Sequence, residues 1–100
     1  MLWLASLASI DVNRMYFNYF YDLVDCPPEE EVTKYYLPII SIICEETLRF
    51  GGSIVHHHGI GKARAPWAPE EYGSSYPMLE ALKAAFDPNG IMNRGTIIPD

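Results

Sequence analysis

The spacing of apolar and polar residues changes several times along this chain, and each change marks an element. Residues 2–10 form a short apolar run of the length expected for a buried strand. Asp11-Val12-Asn13-Arg14 supplies turn chemistry, because Asp and Asn side chains bond their own backbone. Residues 15–24, MYFNYFYDLV, are rich in aromatics that suit a pleated surface, which predicts an antiparallel hairpin with residues 2–10. Asp25-Cys26-Pro27-Pro28 ends that hairpin. Pro28 followed by Glu29, Glu30 and Glu31 predicts a helix start, since proline is tolerated in a first turn and carboxylates favour the positive end of the helix dipole. Val32, Tyr36, Ile39, Ile43 and Phe50 recur at steps of three, four or seven, placing them on one helical face. Gly51 is the expected stop. Pro38 lies inside this span and predicts a kink or a split.

Beyond the helix, Ser53-Ile54-Val55 reads as a short edge strand. Residues 59–77 carry Pro66, Pro69 and Pro77 with Gly59, Gly61 and Gly73, the composition of an ordered loop. Met78–Phe86 is an amphipathic helix ended by Asp87-Pro88-Asn89-Gly90, and residues 91–100 read as an extended tail that docks on another surface. The fold class expected from this order is α+β, antiparallel strands packed with helices. There is no internal repeat and no low-complexity tract.

Composition narrows the class. One hundred residues suffice for one small domain, and 49% hydrophobic with 20% charged residues is not the composition of a disordered chain. The net charge of −6 with seven Lys and Arg lacks the clustered basic footprint of a nucleic-acid binder. Cys26 and Cys44 lack CxxC spacing and read as reduced structural thiols. No apolar run reaches the roughly 18 residues that cross a bilayer, so a cytoplasmic or membrane-peripheral location is expected. MLWLASLASI lacks the basic lead of a signal peptide, and its immediate apolar start suggests part of a larger protein.

The stretch with most chemistry is GGSIVHHHGIGK, residues 51–62. In an extended backbone His56 and His58 point to one face and His57 to the other, leaving two ligands where zinc takes three or four, so no metal is expected. Acid–base chemistry is open to these imidazoles, which titrate near neutral pH. Glycines at 51, 52, 59 and 61 would let a ligand approach the backbone, and Lys62 and Arg64 could neutralise an anion. A solvated polar loop remains the alternative.

The run GGSIVHHHGIGKARAPW, followed by a helix and then DPNGIMNRGTIIP, resembles the C-terminal end of FAD-linked oxidases of the vanillyl-alcohol-oxidase type. Within them the full HHHGxGK, followed by a basic residue and Trp, is most similar to alkyldihydroxyacetonephosphate synthases. Glycolate oxidases and D-lactate dehydrogenases usually carry an acidic-His variant of the triplet. The resemblance implies that residues 1–62 are the last part of a substrate, or cap, domain. Residues 63–100 would then be the loop, helix and tail that return to an FAD-binding domain lying outside this chain. It implies FAD as cofactor, acyl-dihydroxyacetone phosphate and a fatty alcohol as substrates, and an acyl-to-alkyl exchange in ether lipid synthesis. It also implies catalytic roles for His56, His57 and His58, with Tyr16 as proton-transfer partner and Tyr19 and Tyr21 as rivals. Gly59 and Asn93 would contact the cofactor, and Lys62 and Arg64 the substrate phosphate. Arg94 stands where the resembled proteins carry proline. Long alkyl chains need apolar walls, which the aromatic residues would provide. The alternatives are part of an FAD-dependent 2-hydroxy-acid dehydrogenase and a non-enzymatic metal-binding or interaction module. The chain alone is expected to be inactive, and to self-associate through apolar surface left bare.

Overall fold

Helices account for all the regular structure among the described residues, which in this computed structural model are 18–55 and 57–99. The expected strand over 2–10, the turn at 11–14 and residues 15–17 lie outside them. The chain divides after Glu31 into two units, Met1–Glu31 and Val32–Asp100.

In the first unit, residues 18–23 run without regular structure and the chain turns at Val24 and Asp25. Asp25 takes a left-handed φ of 53°, a conformation that Asp tolerates better than most residues. Pro28–Glu30 then form one turn of 3-10 helix, closed by the Glu30 N–H on the Pro27 carbonyl at 3.0 Å. The helix start read from Pro28 and its glutamates is present, as a single tight turn.

The second unit opens with a π-helical segment, Val32–Tyr36, that continues into helix α1, Leu37–Arg49. Pro38 occupies the first turn of α1. It has no N–H to give the Lys34 carbonyl, so α spacing cannot run back through this point, and the wider π turn takes its place. The expected kink or split therefore takes the form of a change of helical type. Ile40 and Cys44, one turn apart, are the buried residues of α1. The helix ends as its glycines predict. Gly51 sits at φ 73°, its N–H reaches the Leu48 carbonyl at 2.9 Å, and the Gly52 N–H reaches Thr47 at 2.9 Å. This is the paired capping pattern that a left-handed residue after the helix permits.

The stretch 59–77, expected to be loop, is a loop only in its first part. Ala65–Trp67 is a 3-10 turn, α2 spans Ala68–Tyr72, Gly73–Ser75 is a second 3-10 turn, and α3 spans Tyr76–Phe86. Pro66, Pro69 and Pro77 each fall at the first or second position of a helical segment, where the missing N–H has no intrahelical partner to lose. Prolines that read as loop punctuation are thus helix starters. Ile60, Ala65 and Ala68 form a small buried cluster against which Ile54, Val55 and Tyr76 pack.

The expected α+β class is corrected accordingly: the described residues contain helices and no strand. Aromatic and β-branched enrichment records fit to a pleated surface, and it becomes a strand only where a partner backbone pairs with it. Residues 18–24 run without a ladder, with Phe20 and Val24 exposed. At Ser53–Val55 the reason is specific, because a side chain takes the backbone donor that a ladder would have used.

Candidate functional site

That side chain is Glu71 on α2. Its Oε2 accepts the Ile54 N–H at 2.9 Å and its Oε1 accepts the Ser53 hydroxyl. Ser53 Oγ lies 2.7 Å from the Val55 carbonyl and 3.5 Å from the Val55 nitrogen, so the segment closes on itself and on α2. Ile54 and Val55 then pack on the Ile60 cluster, and the chain bends through the histidines.

His57 and His58 are exposed, with ring centroids 4.2 Å apart and planes tilted by 30°. Neighbouring rings this close require a bent backbone, so the alternation expected of an extended chain does not hold between them. His56 and Tyr16 lie outside the described residues. Gly59 and Gly61 follow at φ 77° and 61°, and a Cβ on either would meet nothing within 4 Å. These glycines are therefore required by the left-handed backbone rather than by crowding. Between them Ile60 is buried at 3% exposure and pins the loop to the core.

Lys62 and Arg64 diverge. Lys62 is exposed, whereas Arg64 is half-buried and its positive charge reaches the Cys44 thiol. Burial pushes that thiol above its usual range, and Arg64 opposes the shift. Cys26 and Cys44 are both free and buried. Tyr19 and Tyr21, in the first unit, stack with centroids 6.2 Å apart, and the Tyr21 hydroxyl is bound to Glu31.

On the other side of the loop, the Ile97 N–H donates to the Gly61 carbonyl at 3.3 Å, which ties the tail to the histidine loop. The tail is turned rather than extended. Asn93 sits at φ 45°, its carbonyl accepts the Thr96 N–H at 3.1 Å, and Ile97 holds a φ of 68° that a β-branched residue rarely adopts. Asn93 is exposed and lies beside an open groove of about 310 Å³ between α3 and the tail. Asp87 organises this end, accepting from Lys83, from Ile91 N–H at 3.0 Å and from Met92 N–H at 2.9 Å. As sequence, Asp87 reads only as the first residue of the Asp87-Pro88-Asn89-Gly90 turn. Its pairing with Lys83, one helical turn earlier, is the signal that pointed to more. Among the described residues no three His, Cys, Asp or Glu side chains converge as metal ligands, and no helix is long and apolar enough to cross a membrane.

Known proteins supply the frame for this arrangement. Residues 12–97 match the family model described as FAD linked oxidases, C-terminal domain, and the chain belongs to that family. It is 64% identical over 86 residues to an uncharacterized FAD-linked oxidoreductase, YgcU, of Escherichia coli (strain K12); the match covers 86% of this chain and 18% of that protein. It is 42% identical over 60 residues to a D-2-hydroxyglutarate dehydrogenase of Pseudomonas putida, covering 60% of this chain and 6% of the relative. An alkyldihydroxyacetonephosphate synthase of Trypanosoma brucei brucei matches at 28% identity over 81 residues, 80% of this chain and 13% of the relative. The chain thus spans less than a fifth of the length of these relatives. No solved structure matches it with significance.

Proposed function

We propose that this chain is the C-terminal part of an FAD-dependent enzyme of the alkyldihydroxyacetonephosphate synthase type. Its histidine loop would form the proton-transferring wall of the active site. The observation that carries this reading is the pair of exposed, adjacent imidazoles of His57 and His58 on a loop anchored at Ser53–Ile54, Ile60 and Gly61. A proton-transfer group must reach substrate while its backbone stays put, and this loop combines exposure with fixed ends. The 28% identity to the trypanosomal synthase over 81 residues supports the substrate class of acyl-dihydroxyacetone phosphate and a fatty alcohol.

In this reading residues 1–62 belong to the cap and residues 63–100 dock on an FAD-binding domain of the same protein. The exposed backbone at Gly59 and the exposed Asn93 amide suit a flavin presented from outside this chain, and the Ile97–Gly61 bond joins the stretches that carry them. The flavin would supply an electrophilic ring system. His56, His57 and His58 would hold and move the proton at the substrate's oxygen, with Tyr16 as partner. Lys62, exposed and without an ion pair among the described residues, suits the substrate phosphate; Arg64, half-buried and with its charge felt at Cys44, would add positive charge near the loop.

A second reading is dehydrogenation of a 2-hydroxy acid with the same imidazoles as base, favoured by the 42% identity to a D-2-hydroxyglutarate dehydrogenase. Anaerobic mixing of the intact flavoprotein with D-2-hydroxyglutarate, glycolate or D-lactate separates the two. Bleaching of the flavin absorbance establishes the dehydrogenase and defeats the synthase. Exchange of labelled fatty alcohol into acyl-dihydroxyacetone phosphate, without bleaching, establishes the synthase. In either case His57→Ala is expected to lower kcat by roughly a hundredfold or more, and undiminished turnover would remove the catalytic assignment.

A further inference from the structure

We infer that Glu71 is a positioning residue for the histidine loop, an inference that rests on the catalytic reading of that loop given above. The residues just before the histidines have no ladder to fix them, and yet the Ile54 N–H is bonded at 2.9 Å and the Ser53 hydroxyl is bonded as well, both to the one carboxylate. Bonds to an ionised acceptor are stronger than neutral ones, and two to a single group fix direction as well as distance. The carboxylate stands on a firm base: α2 begins at Ala68, which is fully buried in the cluster that also holds Ile60. The same short helix therefore holds the loop on both sides of His57 and His58, through Glu71 before them and through the Ile60 contact after them. Glu71 acts on the imidazoles through the backbone, and its bonds are to Ser53 and Ile54.

The geometry also says which replacement preserves the function. In Glu71→Gln the amide oxygen can keep the Ile54 N–H. The amide NH₂ can donate to Ser53 Oγ, whose proton then turns to the Val55 carbonyl 2.7 Å away. Glu71→Ala has no such arrangement, and Glu71→Asp withdraws the carboxylate by one carbon.

Amide exchange and proton NMR on the full 100-residue chain test this directly. In Glu71→Ala the Ile54 amide is expected to exchange roughly tenfold faster or more. The ring-to-ring NOE between His57 and His58 should disappear, while α3 amides keep their protection. Glu71→Gln should retain the NOE. Unchanged Ile54 exchange and an intact NOE in Glu71→Ala overturn the proposal, as does loss of the NOE in Glu71→Gln. If Glu71→Ala loses α3 protection as well, Glu71→Asp decides: loss of the NOE with α3 intact supports the role, and retention of it defeats the role. In the intact flavoprotein, provided His57→Ala is impaired, Glu71→Ala should lower kcat roughly tenfold or more with KM little changed, and Glu71→Gln should restore it; undiminished kcat in Glu71→Ala beside an impaired His57→Ala overturns the positioning role. Failure of the catalytic reading looks different. There His57→Ala keeps full turnover while the exchange difference at Ile54 persists.

Discussion

At the residue scale the Asp87 carboxylate collects the Lys83 ammonium and the backbone N–H groups of Ile91 and Met92. These partners, Lys83 foremost, hold its pKa down to about 2 against the opposing effect of burial, below an ordinary value of 3.8. Because the folded value lies below the unfolded one, the stabilisation is fully present above the unfolded pKa and is lost as pH falls toward 2. The stability difference between wild type and Asp87→Asn, read from urea melts, should therefore be large at neutral pH and should shrink between pH 3.8 and about 2. A difference that stays constant through that window would remove the carboxylate from the account. Cys44 carries a second expectation. It is 1% exposed and its thiol is pushed up by burial, so it should resist a thiol reagent at about pH 8 until denaturant is added. Immediate labelling of Cys44 in the native chain would contradict its placement.

At the element scale, α1 shows what local sequence can specify. Its stop rests on Gly51, which takes φ 73° without a Cβ penalty, together with Gly52, whose N–H closes on the Thr47 carbonyl. Gly51→Ala is expected to destabilise the chain by about 1–2 kcal/mol, measurable as a lower urea midpoint at unchanged slope. Pro38→Ala should let α spacing run back through Val32–Tyr36, seen as a backbone hydrogen bond from residue 38 to the Lys34 carbonyl. The end of α1, the helix over 78–86 and the turn after it were legible because glycine, proline and helical periodicity act over a few residues. The strand expected over 15–24, of which 18–24 are described, and the one expected over 53–55 were not, because a strand is defined by its partner and β-propensity says nothing about whether one arrives. Pro66, Pro69 and Pro77 have two local meanings; the buried Ala65 and Ala68 beside Pro66 and Pro69 favour helix starts there, and Pro77 opens the amphipathic run of α3. At the site, the histidines and their glycines stood out by composition. Glu71 did not, because its role depends on a contact across 17 positions to Ile54.

At the scale of the whole molecule, α3 leaves a surface uncovered. Met78, Leu82 and Phe86 recur every four residues on one face and are 68%, 54% and 82% exposed, with Ile91 and Met92 exposed just beyond. An amphipathic helix whose apolar stripe faces water is a helix in want of a neighbour. The chain spans 18% of the length of its Escherichia coli relative, and in the reading proposed above the neighbour is the flavin domain. In the isolated chain the stripe's available cover is the stripe of another copy, since pairing two such faces removes apolar area from water on both sides. Light scattering on the purified 100-residue chain should therefore give a mass above the 11.3 kDa of one copy, rising with concentration. Leu82→Glu with Phe86→Glu should return it to one copy. Both positions are exposed and lie outside the buried cluster of Ile60, Ala65 and Ala68, so circular dichroism of the double variant should match that of wild type. A wild-type chain that stays at one copy across concentrations would show that this stripe does not drive association by itself. The double variant remaining associated would move the contact to other exposed apolar residues, such as Phe50 at the end of α1.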